Sequence, residues 1–298
     1  MNTVFKIIFL ILLLNIVCSL LSCSFKEKEY SMHTSRPCKE HIPTIPFGSF
    51  TPKIIHQCWI GDLKWLSHFE ESIQNTKKYL TDYQHILWTE DMILSFIQEK
   101  YPKRILDAYL SVNYGYEVVK ADFFRYLVIY YYGGIYLDIK SSLTRNIDCF
   151  MKKHGDKLIV SHWTDYPLGS LPLHHFCDFY NAHLTNNSYG EFQNFYIASP
   201  PGNPMLKKVI EKVVCNIENG CVHKNLYNDG KKSVLLLSGP IMYTNVIQEN
   251  FHPKYVSIVK KNMNSNIIYQ YVDHKKIHGF QHYSKKKNKR ILKNRILS

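Results

Sequence analysis

Four charged residues and one tryptophan stand where they could do chemistry. Asp122 and Arg125 lie three apart in the apolar stretch Val118 to Tyr132, so a helix there puts both on one face. A buried charge is costly unless it is paired or used. The two residues therefore either form a mutual ion pair that fixes the helix or serve a ligand. Asp138 and Lys140 lie two apart at the end of another apolar run, Ile135 to Ile139. The period of a strand places them on the same side of the pleat. Strand ends are where open α/β sheets bind ligands, which makes Asp138 a site candidate. Trp59 closes a further apolar run, where an indole serves either as core or as a platform for a flat ring. His56 and His85 read as satisfied structural histidines.

The elements that must position these groups are legible around them. Val118 to Tyr132 contains no Gly or Pro and is apolar on nearly every side, the pattern of a helix buried all round. Gly133-Gly134 ends it, because glycine alone takes the angles of a tight reversal without steric cost. A strand over Ile135 to Ile139 then delivers Asp138 and Lys140. Upstream, Lys53 to Gly61 reads as a central parallel strand, Trp65 to Leu80 as an amphipathic helix and Tyr83 to Trp88 as a second strand. Thr89 caps the next helix, with Glu90 and Asp91 in its first turn. This βαβα opening predicts a doubly wound α/β sheet with a crevice at the strand carboxyl ends. Downstream, strands are predicted over Lys157 to Trp163 and Phe192 to Ala198, and helices over Met205 to Val214 and Ile241 to Gln248. Val234 to Leu237 reads as a β-type run, and Tyr255 to Val259 and Ile267 to Val272 are less regular. No internal repeat is visible.

Composition narrows the class. The 298 residues are 14% aromatic, with 22 Tyr, and 20% charged, which suits a packed globular protein and not a disordered one. The net charge of +13 is concentrated: seven Lys or Arg fall within Lys285 to Arg295. Without them the body holds 30 basic and 24 acidic residues, or +6. A terminal basic run reads as a solvated tail, and nucleic acid is not an expected partner. Ile7 to Leu21 is an apolar run fitting a signal peptide or signal-anchor, and Leu20 to Cys23 resembles a lipoprotein cleavage site. Each of these sends the following domain across a membrane. The expected organisation is a targeting segment over 1–24, a stem or linker over 25–50, a single domain over 51–284 and a basic tail over 285–298. Among eight cysteines, Cys58, Cys149 and Cys177 read as small hydrophobes, and Cys215 and Cys221 as candidates for a local disulfide. No CxxC spacing supports a zinc site. Asn186-Asn187-Ser188 is an acceptor sequence for N-glycosylation. GxSxG, HExxH, Walker and GxGxxG elements are absent.

The segment Ala121-Asp122-x-x-Arg125-Tyr126-x-x-Ile129-Tyr130-x-x-Gly133-Gly134-Ile135-Tyr136-Leu137-Asp138 resembles the signature of the family-32 glycosyltransferases, whose sugar-binding region contains a DxD motif. Thr51 to Gly61, Asn194 to Pro204 and Ser238 to Thr244 resemble further landmarks of that family in the expected order. The resemblance implies a GT-A-type doubly wound, Rossmann-like mixed sheet flanked by helices in a single domain. It implies transfer of a hexose, mannose among the candidates, from a UDP- or GDP-sugar to a glycan or glycolipid hydroxyl, with retention at the anomeric carbon. Carried over residue by residue, Trp59 would stack on the nucleobase beside Ile60. Asp122 and Arg125 would contact donor sugar and diphosphate, and Asp138 would bond ribose and reach a metal, with Tyr136 and Asn194 completing the donor site. A single-pass type II membrane protein of the Golgi or ER is the implied setting, with a secreted or lipid-anchored form as the alternative. The oligomeric state is not specified.

The chain departs from that pattern at one place. Asp138-Ile139-Lys140 stands where the family has Asp-x-Asp. An ammonium cannot coordinate Mn²⁺ or Mg²⁺, and the exchange moves local charge by two units. Three readings stay open. Lys140 replaces the metal at the diphosphate; or a metal binds through Asp138 and a C-terminal ligand such as His282; or the protein binds a nucleotide sugar without turnover. A different class, a basic membrane-tethered interaction protein, would leave Asp122, Arg125 and the double glycine unexplained.

Overall fold

The computed structural model describes residues 42–163, 182–185, 188–219, 230–260, 266–269 and 291–293. Strands β1 (Ile54–Cys58), β2 (Gln84–Trp88), β3 (Gly134–Leu137), β5 (Leu158–Val160), β6 (Tyr196–Ser199) and β7 (Val256–Ile258) form one sheet in the order β2-β1-β3-β6-β5-β7. The β1 strand runs parallel to β2 and β3, β6 runs antiparallel to both its neighbours, and β5 pairs parallel with β7. Strand β4 (Ser142–Leu143) lies outside it and pairs antiparallel with β8 (Ile267–Ile268). The helices are α1 (Glu70–Tyr79), α2 (Glu90–Lys100), α3 (Lys103–Leu110), α4 (Glu117–Tyr132), α5 (Asp148–His154), α6 (Pro204–Asn219), α7 (Gly230–Leu237) and α8 (Pro240–Glu249). The protein is thus α/β with a mixed sheet, as expected.

Alternation along the strands separates two cores. On one face Tyr136, Ile197, Leu158 and Val160 join the larger cluster built on α2, α3, α4, α6 and α8. On the other, Ile135, Leu137, Ile159, Tyr196 and Ala198 pack with Leu80, Ile147, Met151 and Ile267. With both faces covered, the strands are apolar throughout, and period two decides which core each residue joins. Ten consecutive-turn positions of α4 are buried, which accounts for its all-round apolar sequence.

The double glycine is required by shape as well as by angle. Gly133 and Gly134 have φ of +67° and +96°. A Cβ on Gly133 would stand 2.6 Å from Pro201 Cδ, and one on Gly134 would stand 2.7 Å from the Ile54 carbonyl oxygen. The helix can therefore turn straight into β3 beside β1. His56 confirms its structural reading: Nε2 donates to the Gly133 carbonyl at 3.1 Å while Nδ1 accepts from Trp88 Nε1 at 3.1 Å. Burial lowers its pKa to about 4, so the ring is neutral. His85 pairs with Gln57 Oε1 at 2.8 Å and is likewise lowered to about 4 by burial.

Several expectations change. Val234 to Leu237 belongs to the helix α7, with Val234 and Leu237 buried three apart; a four-residue apolar run has too little length to reveal its period. The helix expected over Trp65 to Leu80 is divided into a 3-10 segment, Leu63–Phe69, and α1. The strand after the double glycine ends at Leu137, one residue before Asp138, and β6 begins only at Tyr196. Cys149 is exposed on α5 and is no core thiol. Residues 42–50, expected as the end of a linker, lie against the domain: Ile42 is buried, Tyr130 Oη donates to the Pro43 carbonyl, and Gly48 N donates to the Pro201 carbonyl. Part of the expected solvated tail is docked too. Ile291 is buried, Leu292 bridges to Val112, and Asn113 N donates to the Ile291 carbonyl at 2.7 Å. The two apolar residues inside the basic run explain that attachment. The N-terminal segment, Cys177, the Cys221 half of the expected disulfide, Asn186-Asn187 and His282 lie outside the described residues.

Candidate sugar-nucleotide site

At the carboxyl end of β3 the chain gathers three charges. Arg125, one turn into the buried middle of α4, places Nη2 3.1 Å from Asp122 Oδ1 and 3.1 Å from Asp138 Oδ1. One guanidinium thus joins two carboxylates from different elements, using the planar fork that lysine lacks. Its other contacts fix it: Nε donates to the Ala121 carbonyl, Nη1 donates to the Asn194 carbonyl, and Cζ lies 4.7 Å from the Tyr136 ring centroid. The mutual pair read in the sequence is present, and Asp138 enlarges it to a triad.

Each carboxylate has its own support. Asn194 Nδ2 donates to Asp122 Oδ1 and Ser238 Oγ donates to Asp122 Oδ2, at 3.3 and 3.1 Å. Tyr126 Oη donates to the Ser238 carbonyl and accepts from Asn194 Nδ2. Asp138 Oδ1 also accepts from Tyr136 Oη at 3.1 Å, and its backbone N–H donates to the Phe195 carbonyl. The Cys58 thiol lies 3.4 Å from Tyr136 Oη; burial pushes it up to about 12, so it is a neutral neighbour. Burial pushes the Asp122 carboxyl up to about 7, against the pull of Arg125 and with a push from Asp138. Burial also works against the Arg125 charge, but Asp138 and the neighbouring carboxylate hold it on, well above the usual value.

Exposure orders the triad. The Asp122 and Arg125 side chains are 5% and 4% exposed, and that of Asp138 is 17%. Asp138 is its outward end. Lys140 follows on a turn, half-buried, close enough to help lower the Asp122 carboxyl. Trp59 stands one residue beyond β1, half-buried, with its ring 5.2 Å from Phe69 and packed on the cluster that contains Ile139. The parallel pairing of β1 with β3 therefore brings Trp59 and Asp138 to the same edge. Ile60 is buried in the larger core, Tyr136 lies beneath Arg125, and Asn194 braces Asp122. Ser238, Tyr126 and Cys58 belong to the assembly as well. In the sequence all three fall inside motifs that carry the family resemblance, but nothing local assigns any of them a role in the site.

A DxD motif implies a divalent cation, and the donor set argues against one here. Among the described residues no three His, Cys, Asp or Glu side chains converge on a point. Asp138 Oδ1 is already held by Arg125 and Tyr136, Asp122 is enclosed, and the next candidate position carries an ammonium. Divalent cations of this kind need several oxygen ligands. The described residues by themselves do not supply such a set, and His282, the other expected ligand, lies outside them.

Residues 67–160, which span α1 through β5 and contain the triad, match the family model described as "Glycosyltransferase sugar-binding region containing DXD motif". The matched segment includes the stretch Ala121 to Asp138 whose motifs resemble that family. The mannosyl phosphorylinositol ceramide synthase SUR1 of Saccharomyces cerevisiae is 36% identical over 138 residues, 44% of this chain and 34% of the relative. Inositol phosphoceramide mannosyltransferase 2 of Schizosaccharomyces pombe is 30% identical over 173 residues, 53% of this chain and 48% of the relative. The chain thus spans between a third and a half of the length of these curated relatives. A solved structure, PaToxG glycosyltransferase, aligns over 68% of this chain and 71% of its own at 19% identity, with a TM-score of 0.46. Among the described residues no helix is long and apolar enough to cross a membrane.

Proposed function

We propose that this protein is a glycosyltransferase of GT-A type that moves a hexose from a nucleoside-diphosphate donor to a hydroxyl of a glycolipid or glycan. The observation that carries the reading is Asp138, held by Arg125 and Tyr136 at the open end of β3 inside the matched sugar-binding region. The curated relatives are mannosyltransferases of phosphoinositol ceramides by name, which makes mannose and an inositol phosphosphingolipid the first donor sugar and acceptor to try.

In this reading Trp59 offers its exposed face to the nucleobase, with Ile60 behind it in the core. Asp138 accepts hydrogen bonds from the ribose and sugar hydroxyls. Arg125, with Asp122, Asn194 and Tyr136, sets the rotamer of Asp138, and the guanidinium contributes positive potential behind the diphosphate. During transfer the bond between the anomeric carbon and the diphosphate oxygen breaks, and its electron pair stays on the diphosphate. The acceptor oxygen forms the new bond to that carbon and gives its proton to the departing diphosphate or to water. Negative charge grows on the leaving group and positive charge on the anomeric carbon, so preset cations and an in-line acceptor lower the barrier. An α-linked product from an α-linked donor follows if the sugar is transferred with retention. The apolar run Ile7 to Leu21 supports a setting at a membrane of the secretory pathway, where such acceptors are displayed.

The test uses the full chain in detergent with a panel of UDP- and GDP-sugars and a phosphoinositol ceramide or oligosaccharide acceptor. Released nucleoside diphosphate and the anomeric configuration of the product are measured. Turnover that disappears in Asp138→Asn is the expected result; release no greater than in that variant would overturn the reading. Tight nucleotide binding without release would instead identify a binding protein of the same fold, which the lysine in the DxD position favours as the second reading.

A further inference from the structure

Lys140 is held by a part of the chain far from it in sequence. Its Nζ donates to Tyr269 Oη at 3.0 Å and lies 4.6 Å from the centre of that ring. Tyr269 directly follows β8, whose residues Ile268 and Ile267 pair with Ser142 and Leu143 of β4. The Tyr269 carbonyl accepts from Ser141 Oγ, and its ring packs on Phe195 at 4.6 Å and on Trp163 at 4.8 Å. A small antiparallel pair and an aromatic bed thus fix the phenol, and the phenol fixes the ammonium.

The choice of partner matters. Among the described residues no carboxylate lies within ion-pair distance of Lys140 Nζ, while Asp138, two residues away, is turned to Arg125. An ammonium anchored through a neutral hydroxyl keeps its full charge and its remaining N–H donors for another acceptor. It stands where a two-carboxylate motif would recruit a divalent cation.

We infer that Lys140, positioned by Tyr269, is the cation that receives the donor diphosphate, and that donor binding in this protein needs no divalent ion. This rests on the donor being a nucleoside diphosphate sugar. The ammonium opposes the charge that the diphosphate gains when the bond to the sugar breaks, and no proton transfer from it is required. Lys140 contacts the ligand; Tyr269 acts only through it.

Calorimetric titration of the full chain with UDP, GDP and the corresponding nucleosides, in EDTA and then in Mn²⁺, tests this. Wild-type affinity for the preferred diphosphate is expected to agree within about twofold between the two buffers, and Lys140→Ala to lose about tenfold or more, the scale of one charge-assisted hydrogen bond. The nucleoside, which has no phosphate, should bind both proteins alike. Tyr269→Phe should weaken the diphosphate by about threefold, a neutral hydrogen bond's worth, and add nothing once Lys140 is alanine. Binding that requires Mn²⁺, or unchanged diphosphate affinity in Lys140→Ala, would overturn the inference alone. A Tyr269→Phe loss that persists in full in the Lys140→Ala background would remove the positioning role. Failure to bind any nucleoside diphosphate would overturn the donor reading, and this inference with it.

Discussion

The two cations at the mouth of β3 are held in opposite ways. Arg125 sits inside a helix, is 4% exposed, and is fixed by two carboxylates, two carbonyls and an aromatic face. Lys140 sits on a turn, half-buried, and is anchored by one neutral side chain from the C-terminal part of the chain. The first is part of the fold's charge balance and cannot be removed without leaving anions behind. The second pairs with no carboxylate among the described residues. Such a contrast separates the group that shapes a site from the group that meets a ligand.

The largest break in this comparison is expected from Arg125→Met. It leaves the buried Asp122 and the partly buried Asp138 without their cation and should cost about 3–5 kcal/mol in chemical denaturation. Lys140→Met, measured in the same way, should stay within about 0.5 kcal/mol of wild type; a similar loss in both would erase the distinction. Gly134→Ala comes next, at about 2–3 kcal/mol, because it combines a positive φ with a collision against the Ile54 carbonyl. It should lower the melting temperature while leaving residual nucleotide affinity in the folded fraction.

Asp122 sharpens the comparison through pH. Its folded value of about 7 lies above the ordinary carboxylate value of 3.8, so the folded protein binds the extra proton between these limits. The contribution of this group is therefore most favourable at low pH and is lost as pH rises towards 7. The neutral histidines His56 and His85 act in the opposite direction, losing stability as pH falls below 6.5. Comparison with Asp122→Asn isolates the carboxyl: the variant should gain stability relative to wild type between pH 4 and pH 7, read from denaturation midpoints. A pH-independent difference would show that Arg125 keeps Asp122 ionised throughout. The smallest effect belongs to Tyr269→Phe, which should change stability by less than about 1 kcal/mol, since it removes one hydrogen bond and keeps the ring on Phe195 and Trp163.

What the sequence reveals follows the range of the interactions. The α4 helix, its double-glycine exit and the parallel β1-β2 opening are local patterns of period, cap and turn. They read correctly because one stretch contains all their causes. The Asp122–Arg125 pair was visible for the same reason, being one helical turn. Asp138 joins it only because Arg125 projects over β3, which no spacing reports. Ser238 reaches Asp122 across 116 positions and Tyr269 reaches Lys140 across 129, so neither could be read from its neighbours. Val234 to Leu237 is the opposite case: its apolar run suits either element, and packing against α8 decides for helix. Ile291 and Leu292 dock from inside a basic run, whose charges outnumber and mask the two apolar side chains.

The pairing of β4 with β8 also sets an order of assembly. As the chain is synthesised, the Asp122 network is complete once Ser238 has emerged, whereas the anchor for Lys140 waits for Tyr269. Until Tyr269 is present, the ammonium beside the Asp122–Arg125–Asp138 triad lacks the one hydrogen-bond partner it has among the described residues. Under the proposal, the cation that would meet the donor diphosphate gains its anchor only from a segment later in the chain than every member of the Asp122 network.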